Sequence, residues 1–424
     1  MKLLTVIFFS LITLIQSVNA QQSIYTRYGL GDVQLTYSGR RLGMGQMGTS
    51  VSDEDFIGTL NPAGWNKLRM TRIEFGVAFS GSFVSDYTEK KFYSGSQFTG
   101  FTMAFPASSV YGIGIALGIV PVTDVNYQVK EHVTDANPTI GDYDITYEGS
   151  GGLSKVFFGS SYKLPFLDIN IGATLDYYFG NVNYSSAITF SGTNNLSASY
   201  QRTYQPKGIG TTLGFITPDF LAGTVSSFSD LRIGASINII PKVSADTLLT
   251  STSTLRTDTV TTALLDMKIP YKLNVGASVV ISKKYLVTLD VAYQPWSEYT
   301  LGNVKSPNLR NMLLISAGTE YRPIRELGAS FWNQIILRGG LSYEQTQYII
   351  DNTGINQLAV YGGFSVPLSY ANTIDIGIQY STRGTTKVLP VSGSTDVIPL
   401  NKESGFRIAI GLSLGDIWFV REEK

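Results

Sequence analysis

The stretch that decides the fold is Leu60-Asn61-Pro62-Ala63-Gly64-Trp65, followed by Thr71-Arg72-Ile73-Glu74-Phe75-Gly76-Val77-Ala78-Phe79-Ser80. From Thr71 onward, apolar residues alternate with small or polar ones, and a period of two is typical of β-strands with one apolar face. The preceding residues do not alternate. We therefore expect residues 21–70 to form a compact coil-rich unit and residues 71–424 to form a sheet.

The coil-rich unit contains Arg41-Leu42-Gly43-Met44-Gly45-Gln46-Met47-Gly48 and then Ser52-Asp53-Glu54-Asp55. Its glycine spacing matches the dinucleotide-binding loop, but that loop needs a strand before it and a helix after it. The residues upstream are polar and turn-rich, so we favour a glycine-rich coil. A short helix is expected to begin near Asp53 and to end before Pro62, since proline disfavours helix in the residue that precedes it.

The alternating region has room for fourteen strands. Their expected centres are Gly76, Thr102, Ile115, Val156, Thr174, Thr211, Ala235, Val275, Leu289, Ser316, Gly339, Tyr361, Ile376 and Ile410. Most connections alternate between short turns and longer polar loops, as in outer-membrane barrels, whose even strand number returns both ends to one side. The predicted fold class is therefore an all-β, antiparallel transmembrane barrel of about fourteen strands.

Composition agrees with a barrel. The chain has 43 Gly, 25 Tyr and 22 Phe, only 15% charged residues and a mean hydropathy of +0.08, which is too aromatic and glycine-rich for an average soluble domain. Residues 1–20 have a basic start, an apolar stretch and the small-residue site Val18-Asn19-Ala20, which predicts a cleaved signal peptide. Balanced charge, with 32 basic and 32 acidic residues, gives no indication of a nucleic-acid partner.

The Gly43-Met44-Gly45 segment, the acidic patch and the Asn61-Pro62-Ala63-Gly64 motif resemble the N-terminal plug, or hatch, of the FadL family of outer-membrane transport proteins. Segments of the second half, such as those around Pro270, Pro295 and Gly339, also resemble that family. The resemblance implies a plug at residues 21–70 inside a barrel at residues 71–424. It departs from the pattern at Lys424, because the chain does not end on an aromatic residue.

The resemblance further implies passive uptake of a hydrophobic small molecule, such as a long-chain fatty acid, in contact with outer-membrane lipid. In that family a kink in the third strand opens the wall sideways, and Gly118 and Pro121 stand where such a break would fall. Proline is confined to strand edges and bulges. Pro121 is equally compatible with the point at which the strand leaves the membrane.

On the expected alternation, seven charged residues point into the barrel: Arg232, Lys272, Asp290, Glu320, Arg338, Asp375 and Arg407. Charged groups in such a place need partners. Salt bridges that hold the plug are the favoured interpretation over direct contact with a substrate. Aromatic residues near strand ends, expected at the membrane interface, are Tyr177, Tyr178, Tyr293, Trp296, Trp332, Trp418 and Phe419.

No residue set predicts catalysis, a cofactor or a metal site. His132 is the single histidine, stands in an expected external loop and is interpreted as a surface residue, although a hydrolase on the barrel rim would need it. The run Asp53-Glu54-Asp55 suits a helix start better than calcium. The chain has no cysteine.

A non-transport role is the alternative. Some FadL-like barrels resemble this chain and serve as accessory proteins of bacterial protein secretion, with partners held on their loops. The long polar segment 244–262 suits such a secretion-system partner.

Overall fold

The computed structural model describes residues 23–416 with gaps at 87–88, 109, 135–140, 191–196, 224–226, 254–255, 324–329, 370, 387 and 391–396. The expected signal peptide and the last eight residues lie outside the described residues.

Fourteen antiparallel strands form one closed wall in the described part of the chain, which confirms the predicted fold class. Each strand pairs with the next, and β14 pairs with β1 from Thr71 opposite Asp416 onward. All fourteen expected centres fall within these strands. They are β1 Thr71–Ser85, β2 Lys90–Ser108, β3 Ile113–Pro121 continued by Thr123–Val133, β4 Tyr143–Leu164, β5 Ile169–Phe190, β6 Ala198–Ile216, β7 Phe228–Ser253, β8 Thr257–Lys268 continued by Lys272–Ile281, β9 Tyr285–Gln294, β10 Met312–Tyr321, β11 Ile336–Ile350, β12 Thr353–Pro367, β13 Thr373–Gly384 and β14 Lys402–Asp416.

The wall shows the alternation that the sequence predicts. In β5, Leu175 and Tyr177 are exposed on the outer surface, whereas Thr174, Asp176 and Tyr178 are buried on the inner one. Strand residues point alternately to the two faces, so an apolar outward set and a polar inward set suit a barrel in lipid.

The two ends of the barrel differ. Thr71 and Asp416 mark what we call the inner end, where the chain enters and leaves the wall. At the opposite, outer end, β4 to β7 rise far beyond their neighbours, with 22, 22, 19 and 26 residues against 10 each in β9 and β10. About 9–11 residues of a tilted strand cross a bilayer. The remaining length of each long strand therefore forms a wall outside the membrane.

Residues 23–70, here called the N-terminal segment, have little regular structure. They contain the 3-10 helix Ile24–Arg27, the two-residue strand Asp32–Val33, the helix α1 Gly39–Gly43 and the 3-10 helix Pro62–Lys67. The expected helix near Asp53 is absent from this segment. Pro62 instead begins a helix, because its missing N–H and fixed φ suit the first helical turn and Asn61 caps it.

Two of the aromatic residues expected at the membrane interface lie elsewhere. Tyr178 is 1% exposed and Trp296 is 2% exposed, and both belong to the interior core. Tyr178 sits at an inward position of β5, and Trp296 starts a 3-10 helix, Trp296–Glu298, that leads into a hairpin of Thr300–Leu301 and Val304–Lys305. Trp332 is exposed as expected. No helix among the described residues is long and apolar enough to span a membrane.

Candidate functional site

Inward-facing glycines let the N-terminal segment lie directly against the wall. A Cβ on Gly214 of β6 would stand 2.0 Å from the Asn61 side-chain oxygen, and one on Gly318 of β10 would stand 2.2 Å from the Met44 carbonyl oxygen. On β13, a Cβ on Gly377 would stand 2.2 Å from the Gly39 carbonyl oxygen. Real Cβ atoms do not approach so closely. The segment therefore contacts strands on several sides of the ring at backbone distance.

The Asn61-Pro62-Ala63-Gly64 motif joins the segment to the wall through hydrogen bonds of Asn61. The Asn61 side-chain oxygen accepts from the Ala63 N–H at 3.1 Å and caps the 3-10 helix. Its side-chain N–H₂ donates to the carbonyl oxygens of Thr49, Phe215 and Ala235 at 2.8, 3.0 and 3.3 Å. Asn61 thus joins two parts of the segment to β6 and β7, and Gly64 packs beneath Val51 within the segment.

The Gly43-x-Gly45-x-x-Gly48 pattern also serves close packing. Gly43 ends α1 and lies against Gly363 of β12, where a Cβ on Gly43 would be 3.0 Å from the Gly363 Cα. Gly45 has a φ of +84°, in the region that favours glycine, and its carbonyl oxygen accepts from the Ser316 hydroxyl at 2.7 Å. No strand leads into this turn, unlike the dinucleotide loop.

A buried ion network ties the segment to β10, and its centre is Glu320. This carboxylate, fully buried, accepts from Arg40 of the segment at 3.1 and 3.2 Å, from Arg338 of β11 at 2.6 Å and from Arg322. Arg338 also lies 3.4 Å from Asp375 of β13. Of the seven predicted inward charges, Glu320, Arg338 and Asp375 therefore meet in one network.

Asp53 forms the second centre of the network. It pairs with Arg40 at 3.3 Å, with Arg41 at 2.6 Å and with Arg322 at 2.6 Å. Burial alone would raise the pKa of Asp53, but Arg40, Arg322 and Arg41 outweigh it and hold that pKa well below the usual range. The Asp53 carboxylate, considered above as a calcium ligand, is thus paired with three guanidinium groups. Asp55 also pairs with Arg40, at 3.1 Å.

The other four predicted inward charges lie apart from this network. The Asp290 carboxylate accepts from the Thr49 N–H at 2.8 Å, and Arg407 donates to the Gln34 side-chain oxygen at 2.8 Å, so both hold the N-terminal segment. Arg232 pairs with Asp230 at 2.5 Å near the inner end. Lys272 lines an internal cavity.

The third strand is interrupted at Val122, directly after Pro121. Up to Ile119 it pairs with both neighbours, Val120 and Pro121 pair with β4 alone, and Gly118 lies within the regular part, opposite Thr102 and Phe157. Beyond Val122, the strand still pairs with β4, but on its other side it pairs with the N-terminal segment, with Val33 opposite Thr123 and Asp32 opposite Asp124. The Val122 carbonyl oxygen accepts from the Gln34 N–H at 2.9 Å.

A gap in the ladder follows from this change of partner. The outer part of β2, from Lys90 to Gly100, pairs with β1 only, and within the described residues no ladder joins it to the outer half of β3. The backbone of the N-terminal segment approaches the gap from inside, where the Thr99 hydroxyl donates to the Tyr37 carbonyl oxygen at 2.6 Å.

Two small cavities lie inside the barrel between the N-terminal segment and the wall. One of about 40 Å³, here the inner chamber, is lined by Lys155, Lys272, Asn238 and Asn274 on one side and by Leu35, Leu60, Val120 and Val122 on the other. A second, of about 140 Å³, is lined mainly by charged and amide side chains, including Glu344, Arg383 and Arg407. Polar inward positions that bind the N-terminal segment thus lie beside the apolar interior core that contains Tyr178 and Trp296.

A larger cavity of about 590 Å³ opens at the outer end, inside the tall wall, and we call it the vestibule. Six tyrosines line it: Tyr127, Tyr147, Tyr184, Tyr200, Tyr204 and Tyr299. Tyr184 packs edge-on against Tyr204 at 6.1 Å between ring centres and is held by a hydrogen bond from its hydroxyl to the Gly29 carbonyl oxygen at 3.1 Å. Leu249, Leu301, Val304 and Pro307 add apolar surface, and Arg27, Arg202 and Lys305 add positive charge.

His132 lies on the outer half of β3, opposite Asp144 of β4. Its Nδ1 is 2.7 Å from the Asp144 carboxylate, and both side chains are exposed. No hydrogen bond between His132 and a serine occurs among the described residues. Its surroundings are those of a cross-strand surface pair.

Sequence reasoning missed Arg40, Arg41 and Arg322, which complete the ion network, and the six vestibule tyrosines. The adjacent pair Arg40-Arg41 was the available sequence signal for the ion network. The tyrosines are spread from Tyr127 to Tyr299, and only the paired strands bring them together.

This protein is therefore a fourteen-stranded antiparallel β-barrel that holds an N-terminal segment against its inner face. The BamG family model matches residues 1–423, so the chain belongs to the BamG family. A comparison with curated proteins found no match.

The solved structures that this chain resembles in fold include three barrels, CymD and two from Pseudomonas species. The CymD monoaromatic hydrocarbon channel is 16% identical, with a TM-score of 0.57 over 91% of this chain and 98% of that one. The Pseudomonas putida toluene transporter TodX is 14% identical, with a TM-score of 0.58 over 91% of this chain and 100% of that one. A Pseudomonas aeruginosa FadL homologue is 12% identical, with a TM-score of 0.57 over 93% and 99%. The FadL resemblance therefore extends to the fold.

Proposed function

We propose that this protein is an outer-membrane channel through which a hydrophobic small molecule crosses passively. The molecule enters at the vestibule, and the N-terminal segment acts as a plug. The molecule then leaves sideways between β2 and β3, at the interruption that follows Pro121. The carrying observation is the change of partner at Val122, which leaves the outer part of β2 without a ladder to β3.

The vestibule supports the entry step. Its volume of about 590 Å³ lies in the range of small-molecule sites, which are mostly concave and rich in aromatic side chains. A hydrocarbon gains ~0.8 kcal/mol for each CH₂ removed from water. The tyrosine rings and Leu249, Leu301 and Val304 offer such a surface outside the membrane.

The interrupted third strand supports the sideways exit. Open sheet edges do not occur facing hydrocarbon, because their N–H and C=O groups would lack partners. The edge of β3 is covered here by Asp32 and Val33, whereas the outer part of β2 faces the gap. Opening at this place breaks the two register pairs of Asp32 and Val33 and the ion pair of Asp32 with Arg383 at 3.0 Å, whereas opening elsewhere breaks a continuous ladder between strands.

The N-terminal segment supports the plug assignment and sets the condition for passage. The inner chamber of about 40 Å³ has room for only a few water molecules, so no hydrophobic ligand passes without movement. Because Glu320 and Asp53 anchor residues 40–55, opening beside β3 requires residues 31–37 to move, which breaks the ion pair of Asp32 with Arg383 at 3.0 Å and the hydrogen bond of Gln34 with Arg407 at 2.8 Å.

A disulfide lock tests this proposal, and the absence of native cysteine makes it clean. Val33 and Thr123 are register partners, a spacing that disulfides bridge without large distortion. The variant Val33→Cys/Thr123→Cys is expressed in cells that lack the native protein, and uptake of oleate and of toluene is measured with and without reductant. The control pair is Val287→Cys/Thr319→Cys, register partners in the continuous ladder of β9 and β10.

We expect the native protein to speed uptake of at least one ligand, the oxidised lock to abolish the gain, and reductant to restore it. The control pair should transport equally in both states. Unchanged uptake of both ligands on deleting the protein would remove the transport proposal. Uptake that continues through the oxidised lock would remove the moving segment and the sideways exit.

A second candidate function, an accessory barrel of a protein secretion system, is favoured by the tall outer wall of β4 to β7. Much of the length of those strands lies beyond what a bilayer needs and presents a broad surface for a partner. Purification in mild detergent distinguishes the two. A stoichiometric partner protein together with no measurable uptake would favour the accessory role.

A further inference from the structure

A ring of outward-facing tyrosines marks the outer boundary of the lipid-facing surface. Its members are Tyr177 of β5, Tyr271 between the two parts of β8, Tyr293 of β9, Tyr343 of β11 and Tyr380 of β13. Along the ladders from β8 to β13, each tyrosine is offset from the next by two residues, the stagger that tilted barrel strands produce. Aromatic girdles of outer-membrane barrels lie at the membrane interface. This ring, here called the outer girdle, therefore lies at the level of the lipid headgroups.

Three lysines stand on neighbouring strands directly beyond the outer girdle. Lys207 of β6 is two residues beyond Ile209, which is the register partner of Tyr177. Lys242 of β7 lies opposite Ile209, and Lys268 of β8 precedes the girdle tyrosine of that strand by three residues. The three side chains are 56%, 74% and 59% exposed. They form a row on the outer surface of the wall at the level of lipid phosphate groups.

The row brings like charges close together. Met267 of β8 lies opposite Val243 of β7, and the same register places Lys268 beside Lys242. Like charges directly opposite each other destabilise a sheet. An anion that binds between the two ammonium groups would offset this repulsion.

Each lysine of the row has a carboxylate beside it, on the side away from the outer girdle. The pairs are Lys207 with Asp246 at 3.1 Å, Lys242 with Asp266 at 3.7 Å and Lys268 with Glu298 at 3.0 Å. Exposed pairs of this kind contribute little, so an ammonium group exchanges its carboxylate for a phosphate at small cost. On the side toward the girdle, the row borders Ile209, which is 63% exposed. The surface thus changes from apolar to charged at the row.

We propose that Lys207, Lys242 and Lys268 bind the phosphate group of an anionic lipid in the leaflet at the outer end of the barrel. Ammonium groups bind phosphate through charge-assisted hydrogen bonds. The row lies on the lipid-facing side of the wall, and the acyl chains of a lipid held there would extend over Ile209 and the apolar surface below it. This position favours a lipid over free phosphate. The site needs only a barrel in a bilayer, so it goes beyond the proposed function and does not depend on transport.

The test measures which lipid stands beside the row. Ile209→Cys is labelled with an environment-sensitive fluorophore, and the mature protein is placed in phosphatidylcholine nanodiscs. These contain a small share of phosphatidic acid or of phosphatidylcholine, each spin-labelled near the top of the acyl chain. Leu358→Cys is the matched control, because Leu358 is also an exposed register partner of a girdle tyrosine, Tyr343.

We expect quenching by phosphatidic acid at position 209 to be about three times that by phosphatidylcholine, since cations near a membrane surface attract anionic lipid. At position 358 the two lipids should quench equally. Raising the salt concentration should weaken the preference at position 209, because the row is exposed. Inorganic phosphate, added at constant ionic strength, should leave the preference unchanged.

Two triple variants separate the row from overall charge. Lys207→Gln/Lys242→Gln/Lys268→Gln should lose the preference at position 209. The control removes the same charge from three exposed lysines of β2 and β14, as Lys90→Gln/Lys91→Gln/Lys402→Gln, and should keep the preference. Heat-modifiable migration in gels checks that each barrel is folded.

Three results would overturn the inference: equal quenching by the two lipids at position 209, an equal preference at position 358, or a preference that survives in the Lys207, Lys242 and Lys268 variant. Loss of the preference on adding inorganic phosphate would show that the row takes the free anion, and it would overturn the assignment to lipid. None of these results depends on uptake of a ligand, so failure of the transport test leaves this inference standing.

Discussion

Replacing Glu320 with glutamine tests what holds the N-terminal segment in the barrel. Glu320 is fully buried and contacts Arg40, Arg322 and Arg338. Removing one partner of a buried ion pair costs about 3–5 kcal/mol, because a charge is left uncompensated. Asp53 and Asp375 still lie near Arg40 and Arg338, at 3.3 and 3.4 Å, so we expect the lower end, ~3 kcal/mol.

Ser50 provides the readout. Its side chain is fully buried and its hydroxyl has no hydrogen-bond partner, so Ser50→Cys changes little and introduces the single thiol of the chain. The thiol reacts with 4,4′-dithiodipyridine only when the segment moves away from the wall. When the segment opens and closes faster than the thiol reacts and is rarely open, the reaction rate is proportional to the equilibrium constant for opening. A loss of ~3 kcal/mol then corresponds to a rate more than a hundredfold higher.

Glu298→Gln in the same Ser50→Cys background is the matched control. Glu298 pairs with Lys268 at 3.0 Å on the surface, where such pairs contribute little, and its loss should leave the rate almost unchanged. A Glu320→Gln protein whose thiol reacts no faster than that of the control would refute the claim that this network anchors the segment.

Two further predictions use the same thiol. Because the pKa of Asp53 in the folded protein lies below that of the unfolded chain, its ion pairs stabilise the segment above the ordinary Asp pKa and are lost as pH falls through the lowered value. The reaction rate, corrected with a free thiol, should therefore rise as the pH falls below about 4, and a rate that does not rise there would contradict this. Gly214→Ala, which forces a Cβ against Asn61, should destabilise the seated segment by about 1–3 kcal/mol and speed the reaction accordingly, whereas Gly362→Ala, with open space around it, should not. Equal rates in the two alanine variants would show that close glycine packing is unimportant.

The strands could be predicted from sequence because the alternation of apolar and polar residues is visible within each strand. In β5 the alternation of Leu175 and Tyr177 with Thr174 and Asp176 is local, and it repeats from strand to strand. The same local rule misplaced Trp296, since an aromatic residue near a strand end satisfies an interface and an interior core equally well. A long-range packing choice, invisible in the neighbouring residues, decided between them.

The site was harder to predict because it joins distant residues. Glu320 was expected to face inward and to need a partner, and the alternation supports that much. Its partner Arg40 is 280 positions away, and nothing in the local sequence of either residue indicates the other. The expected helix near Asp53 is absent for a related reason: that carboxylate is engaged by three arginines and is not available to cap a helix.

The interruption of β3 could be predicted only in part. Pro121 was a local signal for a break, and the chain does change partner just after it. The alternative, that the proline marks where the strand leaves the membrane, was left open because proline is tolerated both at a strand break and at a strand end. The pairing of Thr123 with Val33 depends on a segment some ninety residues earlier and could not be predicted from the residues near Pro121.

A cysteine scan along β5 tests the central claim, a wall that is apolar toward lipid and polar toward the N-terminal segment. Single cysteines at 173 to 178 are labelled with an environment-sensitive fluorophore, and quenching by spin-labelled lipid is measured in bilayers. We predict strong quenching at 173, 175 and 177, the exposed positions, and weak quenching at 174, 176 and 178, the buried ones. Uniform quenching along the strand, or none at all, would contradict the account.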